Sequence, residues 1–175
     1  RKYFFVIDWK FKRFDKTENL IISAKKGQKK IVKRNSKAYD RLRDHVGFIP
    51  LVIISPTDRD LILEGSDVRR KFMDAVISQV DKVYLDKLIK YNSILSQRNA
   101  LLKFFAANRT FDSSNLEVYN ELMHELGQSI YERREEFIQS FAPVLQTRYQ
   151  QICQKEEPIQ ITYKSQLHKD TLKSL

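Results

Sequence analysis

Two runs of residues at alternating four- and three-residue steps, separated by a short polar connection, leave this chain few ways to fold. The first run comprises Tyr84, Leu88, Tyr91, Leu95, Arg98, Leu102 and Phe105; the second comprises Leu116, Tyr119, Met123, Leu126, Ile130, Arg133 and Phe137. That rhythm keeps a narrow stripe on one side of an α-helix, as in a coiled-coil seam. With only residues 108–113 between them, the two helices are expected to fold back as an antiparallel hairpin. Each stripe has one charged member, Arg98 and Arg133, and both are expected to be structural seam residues. An arginine buried along its stem must find a partner, since an unpaired buried charge is costly. Pairing the stripes about a loop near residue 110 brings Arg98 opposite Met123, with Glu121 and Glu125 nearby.

The first hairpin helix reads as about Lys82 to Ala106. Ser114-Asn115-Leu116-Glu117 has the Ser-x-x-Glu pattern of a capping box at the start of the second. Pro143 should end or kink that helix before a shorter one to about Gln154, and Glu156-Glu157-Pro158 should break the helical run. Upstream, Gly65 is a flexible break, Ser66 is a candidate cap, and Asp67 suits the positive end of a helix beginning there. Val68, Phe72, Met73, Val76, Ile77 and Val80 give that helix a wide apolar face.

The first sixty residues read differently. Tyr3, Phe5, Ile7, Trp9 and Phe11 alternate with Phe4, Val6, Asp8 and Lys10, the period of a half-buried strand. Glu18 to Lys25 and Gln28 to Arg34 flank Lys26-Gly27, a hairpin turn, so a three-strand antiparallel meander is expected. Asn35-Ser36 marks another turn, and Tyr39, Leu42 and Val46 mark a short helix ending at Gly47. A buried strand, Leu51 to Ile54, should stop at Ser55-Pro56, because proline fixes its own φ and restricts its predecessor. Ile159 to Tyr163 alternates as a last strand. The fold class is therefore α+β: a small antiparallel β-meander plus a mostly α-helical arm built on a long antiparallel helical hairpin.

Charge is distributed unevenly. The net charge is +10, and residues 1–45 hold 15 Lys/Arg against 5 Asp/Glu, whereas residues 46–175 hold 17 of each. Lys25, Lys26, Lys29, Lys30, Lys33, Arg34 and Lys37 form the densest basic stretch. A hairpin projecting these cations could follow a phosphate backbone, with binding that weakens as salt rises; equally, lysines solvate a hairpin and protect its edge from pairing. Few aromatics interleave them, against a base-stacking platform.

Other chemistry is sparse. His45, His124 and His168 have no ligand-like spacing to the single cysteine, so no metal site is expected, and Cys153 beside Ile152 reads as a small core residue. Glu132, Arg133, Arg134, Glu135 and Glu136 read as a solvated helix face rather than acid–base machinery. No apolar run approaches the ~20 residues needed to cross a bilayer. A chain in the cytoplasm without a membrane partner is expected, and its opening at Arg1 inside a strand suggests a piece of a longer protein.

The order of three blocks supplies a resemblance. They are Ser55-Pro56-Thr57-Asp58; Glu64-Gly65-Ser66-Asp67-Val68-Arg69-Arg70-Lys71-Phe72-Met73-Asp74; and Gln97-Arg98-Asn99-Ala100-Leu101-Leu102. Together they resemble the middle of the RecF family, bacterial proteins of DNA replication and repair with an ABC-type, SMC-like ATPase head. The chain departs from the common family form in carrying Ser66-Asp67 where Gly-Pro is frequent. The resemblance implies that residues 1–60 belong to ATPase lobe I, 61–157 form the helical arm, and 158–175 start the return into lobe II. It also implies a whole protein that uses ATP and Mg2+, dimerises with ATP, binds duplex DNA near single-strand gaps, and with RecO and RecR helps load RecA. Ser55, Asp58, Arg69 and Arg70 become candidates for the lobe interface, although Arg70 can equally pair with Asp74 on the helix surface.

A phosphate loop needs Gly-x-x-x-x-Gly-Lys-(Ser/Thr), and the glycines at 27, 47, 65 and 127 do not satisfy that spacing. No catalytic residues and no cofactor of its own are expected for this chain, and no ATP hydrolysis. The alternative to a DNA-binding segment is a protein-interaction or spacer element that binds no DNA itself.

Overall fold

The computed structural model describes residues 3–153 and 158–168. The chain divides into two compact units, with the boundary between Val52 and Ile53.

The first unit is a sheet of β1 (Phe4–Arg13), β2 (Lys16–Lys25), β3 (Ile31–Arg34) and β4 (Lys37–Ala38), antiparallel throughout and ordered as in the sequence. Two-residue turns at Phe14-Asp15 and Asn35-Ser36 join β1 to β2 and β3 to β4, with φ positive at all four positions. This is the primed geometry whose twist matches that of paired strands. The second turn adds a short fourth strand to the expected meander. Leu20, Val32 and Phe48 form the core, with Phe11, Ile22, Tyr39 and Ile49 packed around them. The expected helix after Tyr39 is only a 3-10 turn, Leu42–His45, and Gly47 follows at φ 75°.

Two expectations for this region fail. The aromatic side of β1 is not half-buried: Phe5, Ile7 and Trp9 remain 51%, 52% and 48% exposed. The covering residues are few and gather on Leu20 and Val32, so only the Phe11 end of β1 is reached. Leu51 to Ile54 form no strand, because none of the four strands takes them as a neighbour, and Val52, Ile53 and Ile54 are exposed. An apolar run becomes a strand only where a sheet edge accepts its backbone.

The second unit opens with a 3-10 turn, Pro56–Arg59, and continues with α1 (Asp60–Leu63), α2 (Ser66–Val80), α3 (Lys82–Asn108), α4 (Ser113–Cys153) and a 3-10 turn, Gln166–His168. Caps differ from the sequence expectation. Gly65 is the N-cap of α2, and Ser66, already helical, accepts a hydrogen bond from Arg70 on its hydroxyl. Asp112, not Ser114, caps α4: its Oδ1 accepts from the backbone N–H groups of Ser114 and Asn115 at 2.9 and 3.2 Å. A carboxylate two residues earlier meets orphan donors of the first turn. Asp81 caps α3 by accepting from the Tyr84 N–H at 2.8 Å.

The hairpin forms as the stripes demand. The pairs Asp81–Arg133, Lys87–Ser129 and Arg98–Asn120 step forward on α3 and backward on α4, so the helices are antiparallel. Arg109, in the left-handed conformation, ends α3. Met73, Ile77, Tyr84 and Ile130 make the core, with Leu88, Tyr91, Phe137, Ile138 and Tyr163 against it. The apolar face of α2 is narrower than its pattern implied, since Phe72 and Val80 are exposed.

Pro143 neither ends nor visibly divides α4, which is one helix of 41 residues. Proline removes one intrahelical donor, but long helical stretches on both sides, Phe137 stacked on Phe141 and the Thr147 hydroxyl donating to the Pro143 carbonyl hold the turn. Cys153 is half-buried at the helix end and Ile152 is 80% exposed, so the cysteine is outside both cores. Ile159 to Tyr163 form no strand; Ile159 donates its N–H to the Gln146 side chain, and Tyr163 stacks on Tyr131. The expected break at Glu156-Glu157 lies outside the described residues. Among the described residues no helix is long and apolar enough to cross a membrane.

Candidate nucleic-acid interface and the contacts of the arm

Strand register sorts the basic stretch. Leu20 lies opposite Arg34 and Ile22 opposite Val32, which places these residues on the core side of the sheet; Ile21 lies opposite Lys33, on the open side. Alternation then puts Lys25 on the open side and Lys37, opposite Arg34, on the core side. Lys26, Lys29 and Lys30 occupy the connection between β2 and β3. All six lysines are exposed.

Arg34 is committed internally. Its Nε and Nη2 donate to the two carboxylate oxygens of Glu18, Asn35 Nδ2 donates to the same carboxylate, and the guanidinium lies 3.9 Å from the centre of the Phe48 ring. The Arg34 hydrogen bonds outweigh the opposing effect of burial, with help from Asn35, and hold the Glu18 carboxyl down to about 2. This pair fastens β2 to β3 and leaves Arg34 poorly placed to meet a phosphate. Sequence reading overlooked Lys10 and Lys12. Both are exposed on β1 and, by register with Asn19 and Thr17, share the open side with Lys33. The signal was the alternation of β1, which sets them on the side of Asp8.

The four residues considered for a lobe interface make local contacts. Ser55 donates its N–H to Asp58 Oδ2 at 2.7 Å, and Asp58 donates its own N–H to the Ser55 carbonyl at 3.0 Å. Arg69 donates from Nη1 to the carbonyls of Leu61 and Glu64, capping the end of α1. Arg70 donates to the Ser66 hydroxyl at 2.7 Å, so the expected Arg70–Asp74 pair does not form. Asp74 is taken from across the unit by Arg134 and by the Tyr84 hydroxyl.

In the seam, Arg98 Nε donates to Asn120 Oδ1 at 2.8 Å rather than to Glu121 or Glu125. Asn120 is half-buried, whereas both glutamates are exposed. Arg133 donates to Asp81 at 3.0 Å and Glu136 at 3.3 Å. The Asp81 carboxyl is pushed down, first by the Tyr84 N–H and also by Arg133.

The solvated-face reading of Arg134 is overturned. Arg134 makes a two-bonded ion pair with Asp74, each side chain only 16% exposed. Burial pulls its pKa down, but the hydrogen bonds and charge of Asp74 outweigh this and push it up. Burial, reinforced by Asp74, raises Tyr84. Sequence held a faint clue: Arg134 falls one turn from Ile130 and Phe137, on the flank of the buried stripe. The adjacent cleft is lined in part by Tyr91, Tyr131, Arg134 and Tyr163, with His168 Nδ1 2.8 Å from the Tyr131 hydroxyl.

Gly65 follows α1 rather than a strand, Gly127 is buried within α4, and Gly27 and Gly47 lie in turns of the sheet unit.

The sheet and the pinned helical hairpin define an α+β chain with helices predominating. No family model matches it. The DNA replication and repair protein RecF of Flavobacterium johnsoniae is 55% identical over 172 residues, covering 98% of this chain and 48% of that protein. The protein of the same name in Bacteroides fragilis is 46% identical over 170 residues, 97% of this chain and 45% of the relative. A solved structure described as the recombination mediator protein RecF-ATPrS in the RecFOR pathway superposes with a TM-score of 0.79. It is 28% identical, over 86% of this chain and 41% of that one. The chain belongs to the RecF family. It spans about half the length of the curated relatives it matches.

Proposed function

We propose that this chain supplies the helical arm, residues 61–157, and adjoining lobe residues, 1–60 and 158–175, of a bacterial recombination mediator. The whole protein would bind ATP with Mg2+, pair with a second copy on doing so, hold duplex DNA beside single-strand gaps, and act with RecO and RecR in loading RecA. The observation that supports a DNA-facing role for this segment is the concentration of exposed lysines, Lys25, Lys26, Lys29, Lys30, Lys33 and Lys37, on a sheet unit attached to an otherwise neutral sequence. Cations meeting phosphates release counterions and give salt-dependent, sequence-independent affinity.

Fluorescence anisotropy of labelled duplex DNA, titrated at several salt concentrations with the chain and with a Lys25, Lys26, Lys29, Lys30, Lys33→Glu variant, tests this. Binding that falls steeply with salt and disappears in the variant is expected. No binding by either protein at low salt overturns the DNA-facing role and leaves a protein-contact or spacer arm. That second reading is favoured by the 17 to 17 balance of charges over residues 46–175; capture of RecR by the chain would support it. ATP turnover by the chain alone is expected to be nil, and a specific activity that stays constant through repurification overturns that expectation.

A further inference from the structure

The lysines on the open side of the sheet and in the β2–β3 connection fall into two groups toward opposite ends of the sheet. Lys25, Lys26, Lys29 and Lys30 gather at the end where Phe4 pairs with Lys25. Toward the other end, successive open-side rungs hold Asp8–Ile21–Lys33, Lys10–Asn19 and Lys12–Thr17. Val6 and Ile31 occupy the rung between the groups, both about half exposed. At about 3.4 Å per residue, Lys25 and Lys12 stand on rungs ~27 Å apart along the sheet. Of the continuous stretch Lys25 to Lys37, four lysines thus stand at one end and Lys33 joins Lys10 and Lys12 toward the other.

We infer that the phosphate backbone of duplex DNA seats on the second patch, the Lys10, Lys12 and Lys33 end of the open side, rather than on the β2–β3 connection. This rests on the DNA-facing reading above. Three observations favour the second patch. Lys10 and Lys12 project from backbone paired along all ten rungs of β1 with β2, and Lys33 from β3 paired to the same β2, so their spacing is set before a ligand arrives and less ordering is lost on binding. Lys10 and Lys12 are two residues apart on one strand, about 6.8 Å, or two steps of the ~3.4 Å axial phosphate spacing of a DNA strand. The one carboxylate on these rungs, Asp8, accepts a hydrogen bond from Asn19 Nδ2, and Glu18 is turned to the core side, where Arg34 neutralises it, so a single anion stands among three lysines. The connection, by contrast, is held by few backbone bonds, Lys26 N–H to Tyr3 and Gln28 N–H to Lys25 among them.

Two triple variants of the chain separate the patches: Lys10, Lys12, Lys33→Gln and Lys26, Lys29, Lys30→Gln. Duplex DNA anisotropy is read across a salt series, with circular dichroism reporting that each variant retains the wild-type melt. Glutamine removes charge without introducing repulsion, which protects the fold. The first variant is expected to weaken binding at least tenfold and to flatten the slope of log K against log salt by about 2 to 3, the ~0.9 per neutralised phosphate summed over three lysines. The second is expected to stay within threefold of wild type. A loss confined to the second variant, or equal losses in both, overturns the seat while the DNA-facing reading stands. Failure of wild type to bind at low salt overturns that reading and the seat with it. If the first variant alone melts early, single Lys10→Gln and Lys12→Gln changes decide: unchanged salt slopes in both overturn the seat.

Discussion

Arg134 and Asp74, sixty residues apart in sequence, are joined by two parallel hydrogen bonds of 2.8 Å each. The pair ties α4 to α2, and the Tyr84 hydroxyl, donating to the same aspartate, brings α3 into the knot. Three helices thus meet on one carboxylate beside the Met73, Ile77, Tyr84 and Ile130 core. A fork-shaped guanidinium suits a carboxylate better than a point charge does, so the pair sets orientation as well as attraction.

Breaking this pair from one side should be costly. Asp74→Ala leaves Arg134 largely buried without its counter-ion, and a loss of ~3 kcal/mol or more is expected in urea unfolding followed at 222 nm. The double change Asp74→Leu with Arg134→Met should lose much less than the sum of the single changes, a coupling of ~1 kcal/mol or more. Additive losses would mean that the two residues act independently.

Glu18 makes the sheet unit acid-sensitive. Its carboxyl is held down to about 2 by Arg34, against an unfolded value near ~4.3. The stabilisation is therefore complete above about pH 4.5 and fades as pH falls toward 2, because the unfolded chain takes up the proton first. Trp9, the single tryptophan, reports on this unit by fluorescence. Glu18→Gln should lower the neutral-pH melting point and flatten the decline between pH 4.5 and 2. An unchanged acid profile would show that the Glu18–Arg34 pair contributes nothing to stability.

The turn between β1 and β2 carries avoidable strain. Phe14 has φ 44° and is 84% exposed, so a bulky side chain holds a left-handed conformation with little packing in return. Replacing Phe14-Asp15 by Asn-Gly, the pair favoured in this turn, should raise stability by ~1 kcal/mol. Thermal melts by fluorescence check it, and a lower melting point would assign Phe14 a contact that outweighs its backbone cost.

Arg98 closes the distal half of the hairpin through Asn120. Arg98→Ala should cost ~1 kcal/mol, the scale of a partly exposed hydrogen bond with one charged partner. Asn120→Ala should cost about the same, and the double change little more than either. A melt unchanged within error for Arg98→Ala would place the function of this side chain outside the hairpin.

The long hairpin was legible because both stripes repeat over several turns, and a period of 3.5 allows only one face to be buried. The β2 and β3 strands and the Asn35-Ser36 turn were legible for similar local reasons. Leu51 to Ile54 and Ile159 to Tyr163 were misread because an alternating or apolar run states only what a strand would need. Whether a partner edge exists is not written in the run itself. The caps moved by one or two residues: Asp112 accepts from N–H groups of the first turn of α4, ahead of Ser114, and Gly65 takes the N-cap of α2 without a side-chain bond.

At the candidate interface, the order of residues already carries the collection of positive charge in the first 45 residues and the dominance of a helical hairpin over the rest. Those are properties of composition and period, both carried by neighbouring residues. Which cations remain available follows from long-range pairing: it withdraws Arg34 into a pair with Glu18, divides Lys25 to Lys37 between two sides and a turn, and brings Lys10 and Lys12 beside Lys33. It likewise takes Asp74 from Arg70, one turn before it, and gives it to Arg134, sixty residues on. Pairing register and long-range ion pairs depend on which distant segments meet, and that is set by burial of the whole core rather than by any local pattern.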